Sequence, residues 1–414
     1  MGVGGSLGGL ATGLALKALG HNTTILERNP KPLLQDQGAG IVAGGDTLDF
    51  FERYNRCNRP LAVTSYARQY LNREGNIVHK EEMLQSMTSW DLTYYLMRAN
   101  YDGVESPYCE VPDPAPGHGT AVHIHDRNVT EIREEPSGDS QDKPGRTGGG
   151  VRVFWKSSQG DEGSILADIV NENTLDTARC AGPSRKMRQA RKPGRHVASG
   201  SPSSIAPASR SLHTSFRAKD GTVEPGKRLL NFVYYTNFPE GSDELEEIMT
   251  DCNGRRRAIT MPPGMTDPNA WEKQRKLARE RLPPQFAEIV CGTNKPFVQA
   301  VTDVLSPEHE YWGGKVVLIG DALAGFRPHT VASTSQAAFD AMIFADYIDG
   351  KVSREEWKRQ TLGFARYIQK RGVDMGEHSQ HMDLPLEDHI HDRNVASTPR
   401  QEEVYPDWAT AFSG

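Results

Sequence analysis

The sequence predicts an α/β fold with two packed domains, and three observations lead to that expectation. A glycine-rich turn near the N-terminus precedes a helical pattern over residues 10–19 and a β-branched strand over residues 23–26. A second apolar strand, residues 315–319, ends in a Gly-Asp pair near the other end of the chain. The length of 414 residues exceeds what one hydrophobic core usually organises. We therefore expect a Rossmann-type domain with a βαβ unit and a second domain built mostly on antiparallel sheet.

Composition and charge narrow the class of protein. The chain has 48 Lys and Arg against 54 Asp and Glu, so its net charge of -6 indicates no nucleic-acid partner. Five cysteines are scattered without a C-x-x-C pair, which argues against a disulfide framework or a structural metal site. No run approaches 18 apolar residues, and the N-terminus lacks the layout of a secretory signal. We expect a cytoplasmic protein that does not insert into a membrane.

Periodicity predicts further elements along the chain. Helical patterns cover residues 45–56, 80–100 and 268–292, strands cover 64–79 around a turn at Glu74-Gly75-Asn76 and 228–235, and a long helix ends near Ile348. Residues 134–150 and 171–217 are rich in Gly, Pro, Ser and Arg, which predicts loops or disorder. We interpret the basic run within the second stretch as a solvated segment, with an anion- or membrane-binding patch as the alternative.

The N-terminal turn carries a dinucleotide-binding pattern. Gly4-Gly5-Ser6-Leu7-Gly8-Gly9 matches G-x-G-x-x-G, with Ser6 at the middle glycine position. Small residues there let the backbone approach a pyrophosphate, and the helix that follows offers free N–H groups. Glu27 ends the second strand close to the spacing at which a carboxylate accepts ribose hydroxyls, which favours FAD or NAD over NADP as the bound nucleotide. The alternative is a purely structural turn, and the few residues before Gly4 predict a truncated first strand.

A second motif, near the other end of the chain, favours FAD over NAD as the bound nucleotide. Residues 316–322 form a buried strand that delivers Asp321 at its carboxyl end, where it can accept ribityl or ribose hydroxyls. Arg327-Pro328-His329 follows and opens a helix whose positive end can face a flavin. A plain NAD-dependent dehydrogenase does not need this element, although Asp321 as a simple turn cap is the alternative.

Together these stretches resemble the flavoprotein aromatic hydroxylases and are most similar to the 2,6-dihydroxypyridine 3-monooxygenase-like branch. The resemblance spans roughly residues 1–110, 225–350 and part of the tail. It implies an FAD-dependent monooxygenase that uses NADPH or NADH and oxygen to hydroxylate an aromatic or N-heteroaromatic small molecule. It also implies a possible homodimer. The residues implied to contact FAD are Gly4, Ser6, Leu7, Gly9, Glu27, Arg28, Gly40, Ile41, Arg98, Asp321 and Pro328.

Several of these residues have alternative interpretations. We hypothesise that His329 touches substrate or lies on a proton path, and a packed or loop-capping histidine is the alternative. Arg98 could instead be an exposed helix residue. The resemblance divides the chain into an FAD-binding domain (1–64, 116–170, 301–350), a substrate domain (65–115, 218–300), an irregular segment (171–217) and a C-terminal helix and tail (351–414).

The sequence departs from the family pattern at two places. An Asp-Gly pair expected near residues 168–190 is absent, and Ala181-Gly182-Pro183-Ser184 resembles a remnant of it. Val331 and Ser333 replace glycines that are usual in the loop after Pro328, which affects how closely the backbone can approach a flavin ring. The alternative function is therefore a catalytically impaired or non-catalytic relative that keeps the FAD-binding fold.

Overall fold

The computed structural model describes residues 1–31, 40–135, 149–172, 212–216, 229–301, 303–306 and 308–380. The helices in these ranges are α1 Leu7–Ala18, α2 Gly45–Tyr54, α3 Trp90–Asp102, α4 Asp243–Ile248, α5 Pro268–Arg281, α6 Pro284–Gly292, α7 Ser333–Ile348 and α8 Arg354–Gln380. The strands are β1 Gly2–Val3, β2 Thr23–Leu26, β3 Gly40–Ala43, β4 Val63–Leu71, β5 Ile77–Ser89, β6 Ala121–Ile124, β7 Asn128–Glu134, β8 Val151–Lys156, β9 Glu162–Ala167, β10 Val170–Glu172, β11 Leu212–Phe216, β12 Leu229–Phe232, β13 Thr260–Met261, β14 Val298–Gln299, β15 Val304–Leu305, β16 Glu310–Tyr311, β17 Val316–Leu318 and β18 Ala324–Gly325.

A six-stranded sheet organises the N-terminal motif and the late motif together. Its order is β16-β17-β10-β1-β2-β6, and all neighbours pair in parallel except β16 with β17. Although β1 is only two residues long, Gly2 pairs with Ile25 of β2 on one side and Asn171 of β10 on the other. The short first strand therefore lies between β10 and β2 inside the sheet. The predicted Rossmann-type βαβ unit is confirmed, and the late strand β17 lies in the same sheet.

Helices cover one face of this sheet, and a β-meander covers the other. On the helical face α1 packs against α3 and α7, and its Gly13 lies so close to α3 that an added Cβ would be 2.8 Å from Cε2 of Tyr101. On the opposite face the antiparallel sheet β7-β8-β9 packs Ile132, Val151 and Val153 against the central strands. Burial on both sides explains why β17 is a continuous apolar run.

The remaining strands form antiparallel sheets. The long β4–β5 hairpin pairs with β3, and smaller pairs join β11 with β12, β13 with β14 and β15 with β18. The predicted fold class, an α/β FAD-binding fold with a mostly antiparallel second part, is confirmed. The domain boundaries stay a prediction, and helix α3, within the predicted substrate-domain range 65–115, packs against α1 in the same hydrophobic core.

Two predicted elements were wrong in their bounds. Residues 80–89 continue strand β5 instead of starting a helix, because pairing with β3 and β4 outweighs local propensity. Helix α3 begins only after Ser89, whose hydroxyl accepts a hydrogen bond from the Leu92 N–H at 3.2 Å. The stretch 268–292 forms α5 and α6, because Pro283 has no N–H to donate and pushes Leu282 into extended backbone.

Some predictions fall outside the described residues. These include the Ala181-Gly182-Pro183-Ser184 remnant, the basic run and most of the segment 171–217. Among the described helices, none has the length and apolar content needed to cross a bilayer. Within the same ranges there is also no cluster of His, Cys, Asp and Glu suited to holding a metal ion.

Candidate active site

The glycine-rich turn is tied to the end of the second strand by Glu27. The backbone N–H of Gly5 donates to Glu27 Oε2 at 2.7 Å, and the N–H of Asn29 donates to Oε1 at 2.8 Å. Gly4 adopts φ +99°, a conformation that strongly favours glycine. The buried Glu27 carboxylate thus fixes the turn through both of its oxygens, and its contact with a nucleotide ribose stays a prediction.

Helix α1 presents an N-terminus suited to phosphate groups. Ser6 caps it in extended backbone, is exposed, and makes no side-chain cap hydrogen bond. The first turn contains no acidic residue that would repel an anion. Leu7 and Gly9 are buried and pack the helix onto the sheet. A helix N-terminus of this kind can bind a phosphate group, and the contacts of Ser6, Leu7 and Gly9 with a pyrophosphate stay predictions.

Asp321 lies at the carboxyl end of β17, two strands away from β1 in the same sheet. Strand spacing of about 4.8 Å places the ends of β1 and β17 about 10 Å apart, on either side of β10. The Asp321 side chain reaches solvent, yet the surrounding protein raises the pKa of its carboxyl by desolvation. Both properties fit a carboxylate within a solvent-accessible cleft at the carboxyl edge of the sheet.

The turn that carries Asp321 is held from helix α7. Gly320 adopts φ +59°, and its N–H donates to Asp340 Oδ2 at 2.9 Å. The Asp340 side chain is fully buried within α7. The pairing therefore connects the predicted helix after the second motif to the motif itself.

The loop after this turn is pinned at several points. Arg327 forms a buried ion pair with Asp303 at 2.8 Å, and Thr330 donates its hydroxyl hydrogen to the Arg327 carbonyl at 2.8 Å. Pro328 is exposed at the start of a short 3-10 turn. Val331 then adopts φ +50°, a left-handed conformation that is costly for a β-branched residue. Val331 therefore replaces the glycine of the family pattern at a position whose backbone still has the conformation that glycine prefers.

His329 contacts helix α8. Its Nε2 lies 2.9 Å from the Gly372 carbonyl oxygen, and its ring meets the Tyr235 ring edge-on with centroids 6.0 Å apart. Since a carbonyl can only accept, Nε2 carries the proton in this contact. Tyr235 follows β12, so His329 connects the loop to residues of the predicted substrate domain. Its role in contacting substrate stays a prediction.

The other predicted contact residues lie on helix α3, on strand β3 and directly after strand β2. Arg98 is buried and pairs with Asp102 at 2.9 Å and with the Tyr94 hydroxyl at 2.6 Å, so it is not an exposed helix residue. Gly40 and Ile41 lie on β3, where Ile41 packs against the core around α1. Arg28 is exposed directly after Glu27. Contacts of these residues with FAD stay predictions.

Sequence reasoning missed His123. This residue lies on β6, in register with Ile25, and a Cβ added at Gly5 would lie 2.3 Å from its Nε2. Neither ring nitrogen has a hydrogen-bond partner within the described part of the chain. Burial and, to a smaller extent, the nearby Arg98 charge lower the pKa of His123 to about 4, so the ring is neutral at physiological pH. The sequence pattern of residues 121–124 could have predicted a strand that contains His123. Only the sheet order shows that this strand lies next to β2 and so brings His123 to Gly5.

Comparisons with known proteins agree with this fold. A family model described as FAD binding domain-like matches residues 206–303. The sequence is 23% identical over 374 residues to the 2,6-dihydroxypyridine 3-monooxygenase of Paenarthrobacter nicotinovorans, covering 87% of this chain and 86% of that protein. The structure resembles that of 2,6-dihydroxypyridine-3-hydroxylase from Arthrobacter nicotinovorans, with a TM-score of 0.64, 21% identity and 92% of each chain covered. It also resembles CtdE, solved with FAD and a substrate, with a TM-score of 0.56, 14% identity and 96% of each chain covered.

The sheet order and the residues at its carboxyl edge define the class: the chain has the fold of the FAD-dependent aromatic hydroxylases, and the resemblance predicted from the sequence is confirmed. Within that class, the sequence relative from Paenarthrobacter and the solved structure from Arthrobacter both belong to the 2,6-dihydroxypyridine 3-monooxygenase branch. The predicted enzyme class, an FAD-dependent monooxygenase and hence an oxidoreductase, and the predicted FAD cofactor are confirmed at the level of this family.

Proposed function

We propose that the protein is an FAD-dependent, NAD(P)H-consuming monooxygenase that hydroxylates an aromatic or N-heteroaromatic small molecule. The observation that carries the proposal is the placement of Glu27 and Asp321 at the carboxyl ends of two parallel strands in one sheet. A nucleotide held by the first carboxylate would have its ribityl chain within reach of the second. A site that binds NAD alone needs only the first carboxylate.

The residues present fit FAD by their chemistry. Glu27 would accept the ribose hydroxyls, the N-terminus of α1 with Ser6 would bind the pyrophosphate, and Asp321 would accept the ribityl hydroxyls. When bound, FAD supplies the redox and oxygen chemistry of the family. The protein contributes orientation, because Asp340 and Asp303 hold the Gly320 turn and the Arg327 loop in fixed positions.

His329 is the group that we propose to act on the substrate side. With its Nε2 proton held by the Gly372 carbonyl oxygen, its Nδ1 is the atom that can accept a proton from a ring hydroxyl. The adjacent Tyr235 ring supplies an apolar face that suits a planar aromatic compound. The name of the relative from Paenarthrobacter describes a dihydroxypyridine, which supports a hydroxylated aromatic or N-heteroaromatic substrate here.

The absorption spectrum of the purified protein tests this function. The protein is incubated with FAD, desalted and examined for flavin bands, and NADPH or NADH is then added without oxygen. Bands that bleach support the monooxygenase, whereas bands that persist support the catalytically impaired alternative. Absence of bands contradicts FAD binding.

A substitution tests the second carboxylate. Asp321→Ala is expected to reduce flavin retention after desalting, because the ribityl hydroxyls lose their acceptor. Asp349→Ala, which removes an exposed carboxylate at the end of α7, is the matched control and should retain flavin like the unmodified protein. Equal flavin stoichiometry in Asp321→Ala and the control contradicts the assignment. Substrate class is then examined by screening hydroxylated benzenes and pyridines for coupled NAD(P)H and oxygen consumption, and the proposed homodimer by analytical ultracentrifugation.

A further inference from the structure

The long hairpin of β4 and β5 has one solvent-exposed face. Along β5 the even-numbered positions of 78–84 are exposed, whereas the odd-numbered positions of 79–85 are partly buried. Gln69 of β4 is exposed and pairs with Lys80, whereas Tyr70 is buried on the opposite face. We call the exposed side of the hairpin the outer face, and its members are Tyr66, Gln69, Val78, Lys80, Glu82 and Leu84.

Two large apolar side chains lie together on the outer face. Leu84 is 74% exposed and Tyr66 is 70% exposed, the two highest values for large hydrophobic residues in the described ranges. Tyr66 lies in the irregular stretch of the ladder that contains Leu84 on the neighbouring strand. Val78, which is 50% exposed, adds an apolar position further along β5. Neighbouring exposed apolar residues of this kind are typical of an interaction site, whereas single ones are not.

The charges between these apolar positions are self-complementary. Lys80 and Glu82 lie between Val78 and Leu84 on the outer face. Suppose that a second copy packs on this face, with the two β5 strands antiparallel and a twofold axis midway between Lys80 and Glu82. Lys80 then faces Glu82 of the partner subunit, Leu84 faces Val78 of the partner subunit, and each contact forms twice, as an isologous interface requires. An axis at Leu84 would instead place Glu82 opposite Ser86 of the partner subunit, without a basic residue.

We propose that the outer face is the interface of a homodimer, with a second copy of this chain as its occupant. The proposal rests on the homodimer proposed above and names its surface. Tyr66 and Leu84 supply the apolar contact, and the Lys80–Glu82 pairs select the register, because exposed ion pairs add little affinity but like charges disfavour other arrangements. Two strands about 4.8 Å apart present on the order of a few hundred Å², less than the roughly 800 Å² per partner of a standard interface. We therefore expect a weak dimer that dissociates at micromolar concentration.

Sedimentation velocity of the full-length protein with FAD added, over a range of micromolar concentrations, tests the apolar contact. Tyr66→Ser combined with Leu84→Ser should raise the dissociation constant of the dimer roughly tenfold. Phe297→Ser is the matched control, because Phe297 is 58% exposed outside the hairpin and its removal should leave the constant unchanged. A dimer that the hairpin substitutions do not weaken overturns the proposed interface and leaves the homodimer standing. A protein that stays monomeric overturns both, and the flavin spectrum tests the proposed reaction independently.

Charge reversal tests the twofold register. Lys80→Glu and Glu82→Lys each place like charges across the axis, so each variant alone should have a dissociation constant raised roughly tenfold. An equimolar mixture of the two variants should recover the original constant as a heterodimer, because opposite charges then meet at both pairs of positions. A role of these side chains within one subunit would give no recovery on mixing. Circular dichroism establishes that both variants are folded. Absence of recovery with both variants folded overturns the proposed interface.

Discussion

The Asp340 carboxylate accepts a hydrogen bond from the Gly320 backbone N–H, with 2.9 Å between Oδ2 and the nitrogen. Gly320 has φ +59° and precedes Asp321, the second carboxylate at the carboxyl edge of the sheet. Asp340 is buried in α7, the helix that packs on α1 behind the glycine-rich turn. One helix thus supports the two motifs that we propose to bind FAD.

Removing this acceptor is expected to weaken both stability and flavin binding. Asp340→Ala leaves the buried Gly320 N–H without its partner, which costs about 1–3 kcal/mol of unfolding free energy. Asp340→Asn keeps a carbonyl oxygen at the same place and should lose less. Urea denaturation measures the first effect, and fluorescence titration with FAD measures the second. If the Asp340→Asn and Asp340→Ala variants lose equal stability, the hydrogen bond from the Gly320 N–H does not account for the contribution of Asp340 to stability.

Gly5 is expected to tolerate no side chain. An added Cβ would lie 2.3 Å from His123 Nε2 and 2.9 Å from Glu27 Cβ, both shorter than an ordinary carbon contact. Gly5→Ala should therefore destabilise the fold by about 1–3 kcal/mol and raise the dissociation constant for FAD. Thermal unfolding and flavin titration check the two effects.

The double variant Gly5→Ala with His123→Ala separates the two contacts. Because the His123 imidazole is nearer to the added Cβ than Glu27 is, its removal should restore part of the stability that Gly5→Ala loses. The remaining contact with Glu27 should keep the double variant less stable than His123→Ala alone. A double-mutant cycle gives the coupling energy between the two positions. Strictly additive effects would show that His123 does not limit the space at Gly5.

The sequence was sufficient to predict the βαβ unit, the late apolar strand β17 and the two motifs that they carry. The turn at Gly4 and the strand ending at Glu27 are local features, and their spacing alone predicts a βαβ unit. The β17 strand was predictable because it is apolar on both faces and ends in Gly320-Asp321. Local patterns of this kind do not depend on distant residues.

Other features depend on contacts between distant residues. His123 lies beside Gly5 only because β6 joins the sheet next to β2, an order that no single strand encodes. Strand β5 extends to Ser89 because β3 and β4 pair with it, against a local helical pattern. The Asp303 partner of Arg327 and the Gly372 partner of His329 are likewise fixed by packing.

Val331 offers a test of backbone strain in the loop after Pro328. A β-branched residue at φ +50° costs roughly 1–2 kcal/mol relative to glycine, partly offset by the greater freedom that glycine gives the unfolded chain. Val331→Gly should therefore increase stability by up to about 1 kcal/mol in chemical denaturation. Val331→Ala relieves only the branching and should gain less. A loss of stability in the glycine variant would indicate that the Val331 side chain contributes packing that outweighs the strain.

Two histidines, the buried His309 and the partly buried His123, predict how stability changes with pH. Burial lowers the pKa of His309 and of His123 to about 4 in the folded chain, against an ordinary value of 6.5. Between these values the unfolded chain binds protons that the folded chain does not, so stability falls as the pH decreases from about 6.5 to about 4. Each histidine accounts for about 2 kcal/mol between pH 7 and pH 5. Urea denaturation at the two pH values measures the difference.

His309 can be isolated by one substitution. Its ring lies 4.3 Å from the Trp357 ring and is 1% exposed, and neither ring nitrogen has a hydrogen-bond partner among the described residues. His309→Phe keeps the aromatic contact and removes the titrating group. Between pH 7 and pH 5 the variant should therefore lose about 2 kcal/mol less unfolding free energy than the unmodified protein. An unchanged difference between the two pH values would mean that His309 does not titrate in this range.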